Sequence, residues 1–357
     1  MIKGIPSDIE RILEAGNSAP SGENCQPWHF IVRDKTIEVH LLPERDQSAY
    51  SWGQRTSYLA NGAVVENMII AASAEQYQAE VQYFPNPKDA WHTATIFLQK
   101  DTSIIPDPLA TYINKRISNR KPYKKDSLTD KERRALLEAI EDKSCSSVLV
   151  EERENIDQLG RVGSTNEEVM LANRRLHQFF FNHVNWTKEE DEEKKIGFYI
   201  KTLELPPPVE FMFKVFRNWS RMRIFDALGF NRVVGKQNGV TNASAAAMAA
   251  FMIARTEPLD FVKIGRAIER FWLTATALGL SCQPLTGLLF FKLKIDGGEG
   301  EIFSQHEQNL IMDAYQKTSR ICNANGNHIV FMFRIGRSTP ASAHAVRFPL
   351  EDVVTIV

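Results

Sequence analysis

A short polar loop near the start of the chain constrains the fold more than any other segment. It spans residues 19–30, reads Ala-Pro-Ser-Gly-Glu-Asn-Cys-Gln-Pro-Trp-His-Phe, and leads directly into an apolar run that predicts a strand. Ser21, Gly22 and Asn24 are small or turn-forming residues that let the backbone approach a flat ligand closely. The Gln-Pro-Trp tripeptide at 26–28 adds amide hydrogen bonds and an aromatic wall. The loop therefore predicts a ligand site, and Trp28 is expected to pack in the core beneath it.

The charge balance argues against polyanion partners. The chain has 357 residues with 43 Lys and Arg against 44 Asp and Glu, a formal net charge of -1, so it has no general attraction to nucleic acid or anionic lipid. Its 43% hydrophobic and 24% charged residues are typical of a soluble globular protein. The N-terminus lacks an apolar signal core, and no stretch approaches the roughly 20 apolar residues of a membrane span. We therefore expect a cytoplasmic protein.

Four scattered cysteines favour buried or idle thiols over a disulfide framework or a zinc site, because they form no Cys-x-x-Cys pair. They are Cys25, Cys145, Cys282 and Cys322.

Residue periodicity predicts helices and strands along the whole chain. In the first third it predicts a helix over 8–19 with Ser7 as its cap, a hairpin over 30–41, a buried helix over 59–74, and strands over 79–84 and 93–99. The Pro- and Asp-rich stretch 101–108 is the predicted boundary. Beyond it we expect a helix over 129–142 opened by Ser127 or Thr129, a helical run over 166–181, a small-residue helix over 243–254, a helix over 264–278 ended by Gly279, and a last strand over 329–335.

Residues 166–242 form a long insert of irregular pattern. It contains a charge cluster at 188–195, which predicts a solvated helix face, and the rigid Pro206-Pro207-Pro208. Long excursions from a compact core often cover active sites, so we expect the insert to act as a lid.

The motifs resemble those of the flavin-dependent nitroreductases. The loop matches that family's Pro-Ser-x-x-Asn-x-Gln-Pro-Trp pattern at Pro20, Ser21, Asn24, Gln26, Pro27 and Trp28. Three further motifs of the family have counterparts. These are an Arg-x-Ser motif at Arg116, Ser118, Arg120 and Tyr123, a Leu-Gly-Leu helix end with a Pro-x-x-Gly loop at 278–287, and a basic residue before a Pro-Leu turn at Arg347.

The resemblance implies a site for flavin mononucleotide (FMN). Arg116, Ser118 and Arg347 would hold the phosphate, since guanidinium groups bind phosphate through bidentate, charge-assisted hydrogen bonds. Arg120 would lie near the ribityl chain or the polar edge of the ring. A second basic residue that is common two positions before the closing arginine is replaced by Ala345.

The flavin ring would be enclosed from both halves of the chain. The resemblance implies that Pro20, Ser21, Gly22 and Asn24 approach the ring and ribityl from one side. Pro284, Leu285, Thr286 and Gly287 would line the ring, with the Thr286 or Gly287 amide donating to flavin N5. Many members of the family have an acidic residue at the position of Thr286.

The motif order implies two fused halves. In ordinary nitroreductases the Arg-x-Ser motif comes first, whereas in this chain it follows the Gln-Pro-Trp loop by some ninety residues. We therefore expect an α+β, nitroreductase-like fold with central, mostly antiparallel sheets packed with helices. Residues 1–105 would form a degenerate N-terminal half carrying the Gln-Pro-Trp loop, and residues 106–357 a C-terminal half carrying the insert. Such a pseudo-dimeric chain would bind one FMN and would not need to dimerise.

The implied function is that of an FMN-dependent NAD(P)H oxidoreductase. A nicotinamide donor would pass hydride to flavin N5, and a nitroaromatic, quinone or similar acceptor would then take two electrons in a ping-pong cycle. The alternative is a non-catalytic protein that sequesters FMN beneath the insert, and a relic without flavin is a third reading. The sequence leaves NADH and NADPH as equal candidates for the donor.

Overall fold

Two β-sheets organise the fold. The protein is described by a computed structural model over residues 4–140 and 145–357. The strands in these ranges are β1 (Trp28–Arg33), β2 (Thr36–Leu41), β3 (Tyr77–Tyr83), β4 (His92–Lys100), β5 (Cys145–Val150), β6 (Val184–Asn185), β7 (Phe198–Tyr199), β8 (Ala247–Ile253), β9 (Ser281–Pro284), β10 (His328–Gly336) and β11 (Val354–Ile356). The α-helices are α1 (Ser7–Asn17), α2 (Arg55–Ala74), α3 (Asp130–Glu138), α4 (Arg153–Ala172), α5 (Arg174–Asn182), α6 (Lys188–Lys194), α7 (Pro207–Phe216), α8 (Trp219–Ala227), α9 (Phe230–Asn242), α10 (Pro258–Ala277), α11 (Gly287–Asp296) and α12 (Gln305–Ile321).

The two main sheets are mostly antiparallel, which confirms the predicted α+β class. The first has the order β11-β1-β2-β4-β3, and within it only β11 runs parallel to its neighbour, with Val354 opposite Phe30. The second has the order β5-β8-β10-β9 and is antiparallel between the paired strands. The last strand of the chain thus extends the sheet that the first strand began.

Helices α2 and α10 pack between the sheets through a reciprocal pair of glycines. A Cβ added at Gly62 would lie 2.0 Å from the carbonyl oxygen of Val262, and one added at Gly265 would lie 2.1 Å from that of Leu59. Only glycine allows so close an approach of two helix backbones. Glu66 of α2 accepts hydrogen bonds from two arginines of α10, which adds charge pairing at this crossing.

Most of the predicted elements are confirmed. The helix predicted over 8–19 is α1, although its N-cap residue is Pro6 instead of Ser7. The predicted hairpin is β1 and β2, and the buried helix is α2. The helix predicted over 264–278 is α10, which begins six residues earlier at a proline in its first turn, and Gly279 follows it with a φ of 72°.

The small-residue helix predicted over 243–254 is wrong, because this segment contains β8. All seven residues of β8 are buried, and the strand lies between β5 and β10. A central strand that is covered on both faces reads as a continuous apolar run without alternation. Tertiary packing therefore overrides the helical preference of its alanines.

Two other helix boundaries differ from the predictions. Helix α3 begins after Thr129, which forms a capping box with Glu132, and it ends at Glu138; residue 142 lies outside the described residues. The helical run predicted over 166–181 is divided at Asn173, whose side chain caps α5. The charge cluster at 188–195, predicted to be a solvated helix face, forms helix α6.

Two expectations from the sequence concern the cysteines and membrane-spanning helices. All four cysteines are buried, and the described residues contain no disulfide. No helix in the described ranges combines the length and the apolar character needed to cross a bilayer.

Candidate functional site

Two adjoining cavities contain every residue that the sequence assigned to a site. The first, of about 260 Å³, is lined by arginines and is called the arginine cavity below. The second, of about 320 Å³, is bounded largely by the insert and by the segment after β9, and is called the insert cavity. Arg120 and Phe198 line both. Pro20, Ser21, Asn24, Arg116, Ser118, Arg120 and Arg347 line the arginine cavity, whereas Gly22, Arg120, Pro284, Leu285, Thr286 and Gly287 line the insert cavity.

Arg116 is anchored in the arginine cavity by a buried ion pair. Its Nε lies 2.9 Å from Oε1 of Glu269 on α10, and the two side chains are 5% and 0% exposed. Its guanidinium carbon also lies 4.6 Å from the ring centre of Trp272, one turn along the same helix. Burial raises the pKa of Glu269 to about 6, against the effect of Arg116, so the carboxylate is largely ionised at neutral pH.

Arg347 and Arg120 have no carboxylate within ion-pairing distance among the described residues. Arg347 donates to Oδ1 of Asn24 and to the Ala19 carbonyl, and its Nε is buried without a partner. Arg120 donates to the Thr202 carbonyl at 2.9 Å. Burial, together with the charge of Arg116, lowers the pKa of Arg347 to about 9, and burial lowers that of Arg120 to about 10.

The arginine cavity therefore carries an excess of positive charge. Three guanidinium groups line it, and Glu269 is the one carboxylate within ion-pairing distance of any of them among the described residues. Uncompensated buried charge is costly, and an anion with several acceptor oxygens relieves that cost. An orphaned Nε and two arginines without a carboxylate partner thus fit a phosphate group.

The Gln-Pro-Trp loop is held in an uncommon backbone conformation. Glu23, Asn24 and Gln26 have φ angles of 45°, 54° and 48°, in the left-handed region that non-glycine residues seldom adopt. Gln26 is fully buried: its amide donates to the Lys195 carbonyl at 2.7 Å and accepts from the Phe348 N–H at 2.8 Å. The loop is therefore fixed by the insert on one side and by the C-terminal segment on the other.

Trp28 lies in the core, as predicted. It is 0% exposed, and its indole N–H donates to Oδ1 of Asn17 at 3.0 Å.

Short backbone contacts bring the Arg-x-Ser segment beside the Pro-x-x-Gly loop. Ser118 forms a bridge with Cys282 of β9, and the Asn119 N–H donates to the Cys282 carbonyl at 2.9 Å. The Pro-x-x-Gly loop begins two residues after Cys282 and leads to the first turn of α11. The loop and this turn line the insert cavity. Thr286 supplies no side-chain cap for that turn. The N–H groups in the first turn of α11, which lack intrahelical acceptors, therefore provide hydrogen-bond donors at the wall of the cavity.

Asn166 packs directly against Gly287 in the insert cavity. A Cβ added at Gly287 would lie 1.9 Å from Oδ1 of Asn166, and that oxygen is buried without a hydrogen-bond partner. The close approach requires the glycine, and it leaves an unsatisfied acceptor at the cavity wall.

Two carboxyl groups in the insert cavity have raised pKa values. Burial raises the pKa of Glu167 to about 7, and burial together with the charge of Asp46 raises that of Glu23 to about 8. Oε2 of Glu167 is buried without a partner. Both groups can therefore carry a proton near neutral pH, which makes them candidate proton donors in this cavity.

Three backbone groups of the insert form four hydrogen bonds with residues that lie at or beside the two cavities. The Gly197 N–H donates to the Glu23 carbonyl at 2.7 Å. The Lys195 carbonyl accepts from Asn24 at 2.9 Å and from Gln26 at 2.7 Å, and the Thr202 carbonyl accepts from Arg120. Residues 195–202 thus join the Gln-Pro-Trp loop to the Arg-x-Ser segment.

Sequence reasoning missed Glu269, Trp272, Asn166, Glu167 and Phe198. For Glu269 a signal exists, because an acidic residue amid the apolar positions of a long helix implies a buried charge partner. The others depend on how the insert packs.

The sequence matches several mycobacterial proteins, while no protein-family model matches it. It is 22% identical over 298 residues to an uncharacterised protein of Mycobacterium tuberculosis, covering 79% of this chain and 39% of that protein. Two further proteins of that organism bear provisional names as NAD(P)H nitroreductases. One, Rv3131, is 30% identical over 32% of this chain and 34% of its own length, and the other, acg, is 35% identical over 25% and 27%. The chain thus spans between about a quarter and two fifths of the length of these curated relatives.

The solved structures that match this chain include two nitroreductases. The FMN-dependent nitroreductase NfnB of Mycobacterium smegmatis, in complex with NADPH, is 12% identical with a TM-score of 0.41, covering 68% of this chain and 96% of that one. A nitroreductase with bound FMN from Bacteroides fragilis is also 12% identical, with a TM-score of 0.39 and coverage of 70% and 99%. Parts of this chain are thus similar in sequence to proteins that bear provisional nitroreductase names.

Proposed function

We propose that this nitroreductase-like chain binds one FMN and acts as an FMN-dependent oxidoreductase with NADH or NADPH as donor. The observation that carries the proposal is the arginine cavity, where three guanidinium groups have one carboxylate between them. The names of the relatives support the same reading, since they include provisional NAD(P)H nitroreductases.

In this proposal the arginine cavity holds the phosphate. Arg347 and Arg116, with the Ser118 hydroxyl, bind its oxygens, and Arg120 continues the polar wall towards the insert cavity. The ion pair with Glu269 fixes the orientation of Arg116 before any ligand arrives, so less conformational entropy is lost on binding.

The flavin ring would occupy the insert cavity. Pro284, Leu285, Thr286 and Gly287 line one wall, and Gly22 opens another because a Cβ there would have no neighbour within 4 Å. A bound flavin would supply the two-electron relay between donor and acceptor. The first-turn N–H groups of α11 would orient the ring, and the Glu167 and Glu23 carboxyls would supply protons for acceptors whose reduction consumes them.

One site per chain follows from the asymmetry of the two halves. The Gln-Pro-Trp loop comes from the first half, whereas the arginines and the Pro-x-x-Gly loop come from the second, and α2 and α10 pack the halves together. We therefore propose that the chain is an internal pseudo-dimer whose pocket is complete without a second copy. A fully loaded sample with close to two flavins per chain would contradict this.

A second candidate function is sequestration of FMN. The contacts of residues 195–202 with both the Gln-Pro-Trp loop and Arg120 favour it, because they close the insert over the cavities. A chain lacking residues 186–217 tests the role of the insert as a lid. If substrate access to the flavin is unchanged in that variant, the insert is not a lid.

The visible absorption spectrum of the purified chain tests the proposal, before and after anaerobic addition of NADPH and, separately, NADH. We expect a yellow protein that bleaches with at least one donor. A yellow protein that stays oxidised with both supports sequestration, and a colourless protein that does not bind added FMN contradicts both functions.

A further inference from the structure

The outer face of the first sheet carries a row of three histidines that takes no part in the cavities. His29 of β1 is paired with His40 of β2, which is paired in turn with His92 of β4. Residues directly opposite one another on neighbouring strands point to the same face, with Cβ atoms about 4.5–5.5 Å apart. The rings of His40 and His92 are stacked, with centroids 4.3 Å apart and an angle of 23° between their planes.

Two carboxylates lie at the two ring nitrogens of His40. Oε2 of Glu38 is 3.0 Å from its Nε2, and Oδ2 of Asp89 is 3.9 Å from its Nδ1. Glu38 shares the face because it lies two residues before His40 on the same strand. One ligand atom each from Glu38, His40 and His92 can be chosen so that all three lie within 4.8 Å of one another.

The three ligands lie on two strands that are paired in the first sheet. A register shift between Val39 and His40 brings His92 opposite His40 on the same sheet face. The side chains of Glu38 and His40 are 20% and 19% exposed, so a solvated ion can reach them while their neighbours limit their motion. Arg33 is a competing cation, with its Nε 3.4 Å from Oε1 of Glu38, but its side chain is 60% exposed and therefore displaceable.

We propose that Glu38, His40 and His92 bind a divalent transition-metal ion of the zinc type, with Asp89 or water completing the coordination. Two imidazoles and a carboxylate suit Zn²⁺, Co²⁺, Ni²⁺ and Cu²⁺, whereas Mg²⁺ and Ca²⁺ prefer oxygen ligands. The ion would tie β2 to β4 and to the loop before it. The site is independent of flavin binding.

Calorimetric titration of the metal-stripped, full-length chain with ZnCl₂ tests the proposal. We expect one site per chain with a Kd of about 10 μM or tighter, at least tenfold weaker binding in His92→Gln and in Glu38→Gln, and no saturable site in the double variant His40→Gln/His92→Gln. A hundredfold excess of Mg²⁺ should not compete. His306→Gln is the matched control, because His306 is exposed on α12, outside both sheets, and its loss should leave the isotherm unchanged.

Two results would overturn the assignment. One is a wild-type isotherm that coincides with that of the double variant, and the other is loss of binding in the His306 control. If the double variant does not fold, Co²⁺ added to the wild-type chain serves as the second measurement. An intense visible ligand-field band that Zn²⁺ abolishes supports the site, and the absence of such a band contradicts it.

Discussion

The two cavities differ in which chain segments supply their polar groups and in how far those groups have charge or hydrogen-bond partners. The arginine cavity is built mainly from short motif segments and presents excess positive charge, of which one ion pair satisfies a part. The insert cavity is built mainly from the insert and the start of α11, and its unsatisfied groups are Asn166 and Glu167. For the proposed function we infer that the first cavity provides the affinity for FMN and that the second determines which molecules reach it.

The largest effect is expected for Arg116→Ala, which leaves Glu269 as a buried carboxylate without its partner. Breaking a buried ion pair from one side typically costs about 3–5 kcal/mol. We expect a loss of that size in the free energy of unfolding of the flavin-free chain, measured with urea, together with loss of bound FMN.

Arg120→Met is the matched control, because Arg120 has no carboxylate partner among the described residues. It should weaken FMN binding by about tenfold, as expected for one lost charge-assisted contact, and leave the flavin-free chain as stable as the wild type. Equal destabilisation by the two substitutions would show that the arginines do not differ as proposed.

A smaller effect concerns pH and the insert cavity. The pKa of Glu167 is raised from 4.5 to about 7 by burial, so the folded chain holds its proton more tightly than the unfolded chain does. Stability from this group is fully present below about pH 4.5 and is lost as the pH rises through 7. Glu167→Gln should therefore gain about 3 kcal/mol relative to the wild type between pH 4.5 and pH 8.

Urea unfolding of both chains across this pH range measures the difference. Glu168→Gln removes the same charge from a neighbouring side chain that is 28% exposed, and so controls for the change in net charge. A constant difference between Glu167→Gln and the wild type at every pH would contradict the prediction.

The smallest effect is expected for Gly287→Ala, because the added Cβ meets only the end of the Asn166 side chain. Rotation of that side chain limits the cost to about 1 kcal/mol. Thermal unfolding measures it, and Asn166→Ala in the same chain should restore stability. Gly22→Ala is the control, since nothing lies within 4 Å of its Cβ position. A larger loss for Gly22→Ala than for Gly287→Ala would reverse the expected order.

The residues of the arginine cavity could be predicted from short sequence motifs. The residues of the insert cavity could be predicted only in part, because many of them come from the insert. Residues such as Ser118 and Arg347 belong to short sequence motifs, and both line the arginine cavity. Glu167 reaches its cavity only through the packing of α4 against the rest of the insert, which no local pattern encodes. The prediction of a helix at β8 was wrong for a related reason, because burial on both faces removes the alternation of apolar and polar residues that marks a strand.

The pairing of β11 with β1 has a consequence for biosynthesis. Val354 lies opposite Phe30, so more than three hundred residues separate two strands that are neighbours in one sheet. The Phe348 N–H and Arg347 also bind the Gln-Pro-Trp loop, so the same C-terminal segment completes that loop. Until residues 347–356 have emerged from the ribosome, neither the edge of the first sheet nor the loop can be closed. The Gln-Pro-Trp loop must therefore wait for the synthesis of that segment before it can adopt its final conformation.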